Sequence, residues 1–249
     1  MPLLDRLLGR GSRPPADIAA SMAAATAAAG RGDYAAALAI WGPLAHAGVA
    51  RAQNNIGACF AEGLGVEPDA GLALRWLTLS AGNGDPVGQR NLAAVHFKGQ
   101  GVEQSDEEAL RLYRLAAAQD DAPAQDMLSW MLLEGGREAD RPEALRWAKA
   151  AAEAGVASSM TRLGMMHHEA LGVERDAMMA AQWWRRGADA GDSDAKAMLG
   201  AALLLGQGVA KDPARALDLL LAAERDGSLL AAPFIKAARA AVAPHEAAP

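Results

Sequence analysis

Residues 50–84 read ARAQNNIGACFAEGLGVEPDAGLALRWLTLSAGNG, and the stretch divides into two helices joined by a turn. The first helix carries Ile56 and Gly57 and ends at Gly63-Leu64-Gly65-Val66; the second begins after Asp69, carries Trp76 and closes on Gly84. Glycine supplies the positive φ of the turn, an Asp or Ser caps the helix that follows, and a glycine after an alanine-rich run ends it. The same features recur along the chain. Glycines that close an Ala-rich segment stand at Gly48, Gly84, Gly155, Gly191 and Gly227, with Asp120 in the missing slot. A series of small residues, each after Ile or Leu, runs Gly57, Ala93, Ser129, Gly164 and Gly200 at gaps of 36, 36, 35 and 36. The turn returns as Gly99-Gln100-Gly101-Val102, Ala170-Leu171-Gly172-Val173 and Gly206-Gln207-Gly208-Val209, and one residue is lost near Gly135-Gly136. A fixed period in this range means a repeat architecture whose units bury their faces only against neighbours.

Each unit is therefore expected to be two helices, the first with a small residue where a neighbouring backbone comes close. Ser105 with Glu108 reads as a capping box, and Asp212-Pro213 as a cap followed by a first-turn proline. The second helix is expected to bury Trp76, Leu112, Trp147, Trp183 and Leu219. Composition agrees: 51% of the 249 residues are hydrophobic but only 4% aromatic, so alanine dominates, which favours closely packed helices over sheet. The predicted fold is all-α, a right-handed superhelical solenoid of helix-turn-helix repeats. Residues 16–242 are expected to form it with a C-terminal capping helix, after a flexible segment at 1–15 and before a disordered tail at 243–249.

A net charge of -6 argues against nucleic acid as the main partner. The single Cys59 excludes an internal disulfide and fits a reducing cytoplasm. Leu3, Leu4, Leu7 and Leu8 share one face of a short helix before Gly11-Ser12-Arg13-Pro14-Pro15. The Ala-rich run Ile18–Ala29, preceded by Arg6, Arg10 and Arg13, imitates an export signal, which leaves a periplasmic location as the alternative. No run of about 20 strongly apolar residues is present to span a membrane.

These motifs resemble the Sel-one-like repeat family, a branch of the tetratricopeptide superfamily with Leu-Gly-x-x-Tyr, Gly-x-Gly-Val, Ala-x-x-Trp-Tyr and Ala-Ala-x-x-Gly elements. The resemblance covers residues 50 to 228, with 16–49 similar to a more tetratricopeptide-like first unit. It departs at the family's tyrosine position, which reads Phe60, His96, Leu132, His167 and Leu203, and in lacking paired cysteines. The resemblance implies a scaffold or adaptor, with a bacterial regulatory or complex-assembly role; an exported envelope regulator and a hydrolase, as in cysteine-rich relatives, are the alternatives.

No catalytic constellation competes with that reading. His167-His168-Glu169 is the densest polar cluster, but adjacent helical residues point about 100° apart, and a zinc-protease motif needs a second histidine where Gly172 stands. No metal or cofactor is expected. Cys59 reads as a buried inert thiol, and the Asp120-Asp121 and Glu107-Glu108 pairs as solvated carboxylates.

Transferring the tetratricopeptide concave-face positions, counted −3, +1, +4 and +5 from each small residue, selects a candidate surface. Asn54, Ala58, Ala61 and Glu62 come first, then Arg90, Ala94, Phe97 and Lys98, then Asp126, Trp130, Leu133 and Glu134. Thr161, Met165, His168 and Glu169 follow, and then Ala197, Ala201, Leu204 and Leu205. The resemblance thus implies a peptide or helical partner anchored by Phe97, Trp130, Leu133, Met165 and His168 and rimmed by Arg90, Lys98, Asp126, Glu134 and Glu169.

Overall fold

The computed structural model describes residues 17–243, and every regular element among them is helical. The helix expected within residues 1–15, and the tail from residue 244, lie outside the described residues. In chain order the helices are α1 (Ile18–Gly30), α2 (Tyr34–His46), α3 (Ala50–Glu62), α4 (Ala70–Gly82), α5 (Pro86–Lys98), α6 (Asp106–Ala117) and α7 (Ala122–Glu134). After a 3-10 turn at Glu138–Asp140 come α8 (Arg141–Glu153), α9 (Ala157–Glu169), α10 (Ala177–Asp189), α11 (Ser193–Leu205), α12 (Pro213–Arg225) and α13 (Ala232–Val242). The described residues divide into two compact units, 17–124 and 125–243. In the first, α1 packs on α2, α2 on α3, and so on to α6; in the second, α8 packs on α9 and contact again runs helix to helix as far as α13.

The residues read as helix starts are starts. Asp69 accepts the Leu72 N–H at 2.8 Å and Asp212 the Arg215 N–H at 3.0 Å, each satisfying a donor the helix leaves unpaired. The capping box at Ser105 is only half made. Ser105 Oγ accepts the Glu108 N–H at 3.2 Å, but the Glu108 carboxylate takes Arg111 at 2.6 and 2.8 Å, and the Ser105 N–H donates to the His96 carbonyl at 3.0 Å. That last bond recurs from Asp69 to Phe60, Asp176 to His167 and Asp212 to Leu203 at 2.9–3.0 Å, so the carbonyl at the family's tyrosine position ties down each long turn.

The core forms where the small-residue series meets the second helices, one position later than the sequence suggested. Gly57 faces Leu77 and Gly200 faces Leu220, with an added Cβ only 2.8 Å from either leucine, and Gly164 faces the indole of Trp184. Leu77, Tyr113, Trp184 and Leu220 are buried, while Trp76, Trp147, Trp183 and Leu219 are half-buried; of the expected series only Leu112 is buried. Adjacent helical residues lie about 100° apart, so the face carrying Leu77 turns its neighbour Trp76 toward the edge. Trp147 and Trp183 are instead covered by the guanidinium groups of Arg146 and Arg186, 4.2 and 4.3 Å from the ring centres.

Candidate partner-binding site

In the first unit the selected face is a ladder of polar side chains. Asn91 donates to Asn54 at 2.8 Å, one repeat apart. Gln53 donates to the Ala45 carbonyl at 3.0 Å and accepts from Asn83 at 2.9 Å; Gln89, one period later, donates to Ala81 and accepts from Gln119 at 2.8 Å. The 36-residue spacing of two buried glutamines was the signal for this join between repeats. Arg90 is committed to the same kind of join. Its Nη1 reaches both oxygens of Asp121 at 2.8 and 2.9 Å, and Asp121 also accepts the Ala124 N–H at 2.9 Å. The Asp121 side chain is therefore a largely covered cap and ion-pair partner rather than a solvated carboxylate, and the hydrogen-bonded Arg111 guanidinium holds the Glu108 carboxyl below its ordinary pKa. Phe97 is half-buried and Lys98 exposed.

The second unit is built differently at the same positions. Asp126 accepts Arg162 at 2.6 Å and Ser158 at 3.0 Å, with Ser159 as a third donor, so it too is a joint between repeats. Beside that pair lies an open groove with a volume of about 460 Å³. Trp130 and Leu133 of α7, Met165 and Met166 of α9, and Leu230 from the α12–α13 connection line it. Glu134, Glu169, Asp192 and Asp194 add carboxylates. Six of the residues selected from the sequence, Trp130, Leu133, Glu134, Thr161, Met165 and Glu169, are thus brought together. His168 is half-buried with its ring 5.6 Å from that of Trp184.

Arg162, Asp192, Asp194 and Leu230 were missed. Arg162 sits one residue past the chosen offset and one period after Asp126; Leu230 belongs to the irregular exit after the last full repeat, where no periodic rule applies.

Among the described residues no group of three or more His, Cys, Asp or Glu side chains is placed to hold a metal ion. His167 is buried with its Nδ1 unpartnered. Cys59 is buried, and that burial, with Glu62 nearby, pushes its thiol up to about 11, which disfavours a thiolate nucleophile. No helix among the described residues is long and apolar enough to cross a membrane.

Stacked helix pairs with an apolar groove on their first helices define a helical repeat protein of the kind that presents a surface to other molecules. Sequence comparison makes the class specific: the Sel1 repeat matches residues 50–85, 86–121, 122–156, 157–192 and 193–228, and the chain belongs to the Sel1 repeat family. The pair α1/α2 precedes these five segments. The structure is similar to a Sel1 repeat protein from Oxalobacter formigenes at 31% identity and TM-score 0.77, covering 84% of this chain and 86% of that one. It is also similar to a protective antigen of uropathogenic Escherichia coli strains, displaying the SLR fold, at 28% identity and TM-score 0.84. There the match covers 90% of this chain but 49% of the antigen. No curated protein sequence matches the chain.

Proposed function

We propose that the chain is a non-catalytic scaffold or adaptor that holds a peptide or helical segment of a partner protein on the first-helix faces of its repeats, in a bacterial regulatory or complex-assembly pathway in the cytoplasm. The observation that carries this reading is the groove of the second unit, where Trp130, Leu133 and Met165 stand in an open concavity rimmed by charge. Packing within a repeat is served by the small-residue series and the buried second-helix residues, so large apolar side chains at these offsets serve something else. The first unit offers Phe97 and Lys98 at equivalent offsets, and these belong to the proposed surface. Arg90 and Asp126 act through the joints they make, by holding neighbouring repeats in register.

Binding energy at such surfaces concentrates in a few aromatic and apolar anchors surrounded by weaker polar contacts. The test is crosslinking in cells with wild type and Trp130→Ala, identification of the captured protein, and titration of that purified partner. Trp130→Ala is expected to weaken binding by about 2 kcal/mol with helicity and melting temperature nearly unchanged. Unfolding of this variant, with full binding retained by Met165→Ala, would assign both side chains to packing.

A further inference from the structure

We infer that the groove of the second unit takes a cationic amphipathic segment of a partner protein, a bulky apolar anchor flanked by lysine or arginine. The inference rests on the groove being a binding site at all, and it adds the chemistry of the occupant. Four carboxylates line the groove, Glu134, Glu169, Asp192 and Asp194, against one cation, Arg162. That cation is already spent. Arg162 donates to Asp126 at 2.6 Å, and the two side chains are only 14% and 18% exposed, so the pair is closed on itself and neutralises none of the rim.

The rim carboxylates keep free acceptor capacity. Asp192 takes the Ala195 N–H at 2.7 Å and the Thr161 hydroxyl at 2.8 Å, both on Oδ1, and Asp194 takes the Ser228 hydroxyl on Oδ1. Each leaves Oδ2 without a hydrogen bond from the described residues. Glu134 and Glu169 are exposed, and no hydrogen bond or ion pair from the described residues engages either one. Between these charges the floor is apolar: Trp130, Leu133, Met165 and Leu230, with the fully buried Met166 packed beneath them. A volume of about 460 Å³ lies within the range of roughly 300–1,000 Å³ for built ligand pockets. Methionine adapts to anchors of different shape. Apolar contact would supply affinity, and the uncompensated negative rim would steer and select cationic flanks while repelling acidic ones. The same field disfavours nucleic acid.

The probe is a random-peptide display library selected on the full chain, with binders resynthesised and titrated. Wild type is expected to enrich peptides with an apolar residue flanked by Lys or Arg, and a Glu134→Lys/Glu169→Lys double variant to bind them about tenfold more weakly and to enrich acidic flanks instead. Both glutamates are exposed, so this variant retains the fold; Leu230→Glu, in an exposed connection, is expected to abolish binding of either class. Peptides lost on Leu230→Glu but with no charge preference would overturn the inference and leave the scaffold reading standing. If no enriched peptide depends on Leu230, Trp130 or the two glutamates, both readings fail. A peptide of residues 1–13, whose leucines alternate with Arg6, Arg10 and Arg13, is the final competitor. Displacement of the selected binders at lower concentration than they themselves require would reassign the groove to the chain's own N-terminus and overturn a foreign partner.

Discussion

The two units place different side chains in the same helical slots. One residue past the small position, the first unit carries Ala58 and Ala94, while the second carries Trp130 and Met165 in its first two repeats and returns to Ala201 in its last. Three residues before it, Asn54 bonds across to Asn91 and Arg90 pairs with Asp121 in the first unit, and Asp126 closes an ion pair with Arg162 in the second. The first unit joins its first helices through polar side chains and the Arg90–Asp121 pair, and the second leaves a groove lined by Trp130, Leu133 and Met165 beside its ion pair. Repeat identity at the backbone therefore fixes where a surface lies, and substitution at slots the backbone does not constrain fixes what it does.

The largest expected effect comes from a contrast between single repeats rather than between the units, because a Cβ on Gly200 of the second unit would meet Leu220 at 2.8 Å just as one on Gly57 would meet Leu77. In the first unit a Cβ on Gly57 would meet the movable end of Leu77 at 2.8 Å, whereas on Gly164 it would overlap the rigid indole of Trp184. Overpacking a filled core costs in proportion to how little the neighbour can give. Gly164→Ala is expected to destabilise by about 3 kcal/mol and Gly57→Ala by about 1 kcal/mol, read from urea unfolding. Equal losses would mean that Trp184 moves aside as readily as a leucine, and the distinction between the two cores would collapse.

Much of this was legible because period and turn chemistry are local. Gly63, Gly99 and Gly206 end first helices in left-handed geometry, and Ala170, read in the same slot, adopts it too at φ 60°. The buried row was misplaced by one residue because the neighbouring positions are also apolar: Trp76-Leu77, Leu112-Tyr113, Trp183-Trp184 and Leu219-Leu220 each offer two candidates for one inward direction. The carboxylate joints were illegible for another reason. Arg90 finds Asp121 31 residues away, and only the stacking of one repeat on the next brings them together. The groove's apolar row followed from transferred offsets, but Leu230 and Asp194 enter from elements outside those offsets.

Helix exits offer a smaller and cleaner contrast. Gly191 in the second unit closes its helix at φ 94°, with nothing within 4 Å of an added Cβ, while in the first unit the same slot reads Gly48, Gly84 and then Asp120, held at φ 59°. With no steric neighbour at Gly191, substitution there costs backbone strain alone. Gly191→Val is expected to lose about 1 kcal/mol or more, and Asp120→Gly to gain about 0.5–1 kcal/mol, in thermal and urea unfolding. A neutral Asp120→Gly would show that the aspartate compensates its own strain through local bonding.

The smallest expected effect is a pH dependence at His167 of the second unit. The slot holds buried Phe60 and half-buried His96 in the first unit and buried His167, with its Nδ1 unpartnered, in the second. Burial lowers the ring's pKa from its ordinary value, opposed by the nearby Asp176 carboxylate and assisted by Lys149. The unfolded chain has its ordinary histidine value near 6.5, so between that value and the lowered one the unfolded state binds a proton that the native state does not. Stability is then full above about pH 6.5 and declines as the pH falls through this window. This window lies above the range where Asp and Glu titrate, so the two sources of acid sensitivity separate. His167→Phe is expected to flatten the urea midpoint between pH 7 and 5.5, a window set by the ordinary histidine value of about 6.5, while leaving the steeper loss at lower pH intact. Parallel midpoint curves for wild type and His167→Phe would mean that the native ring accepts the proton without penalty, and that this slot is as tolerant in the second unit as Phe60 makes it in the first.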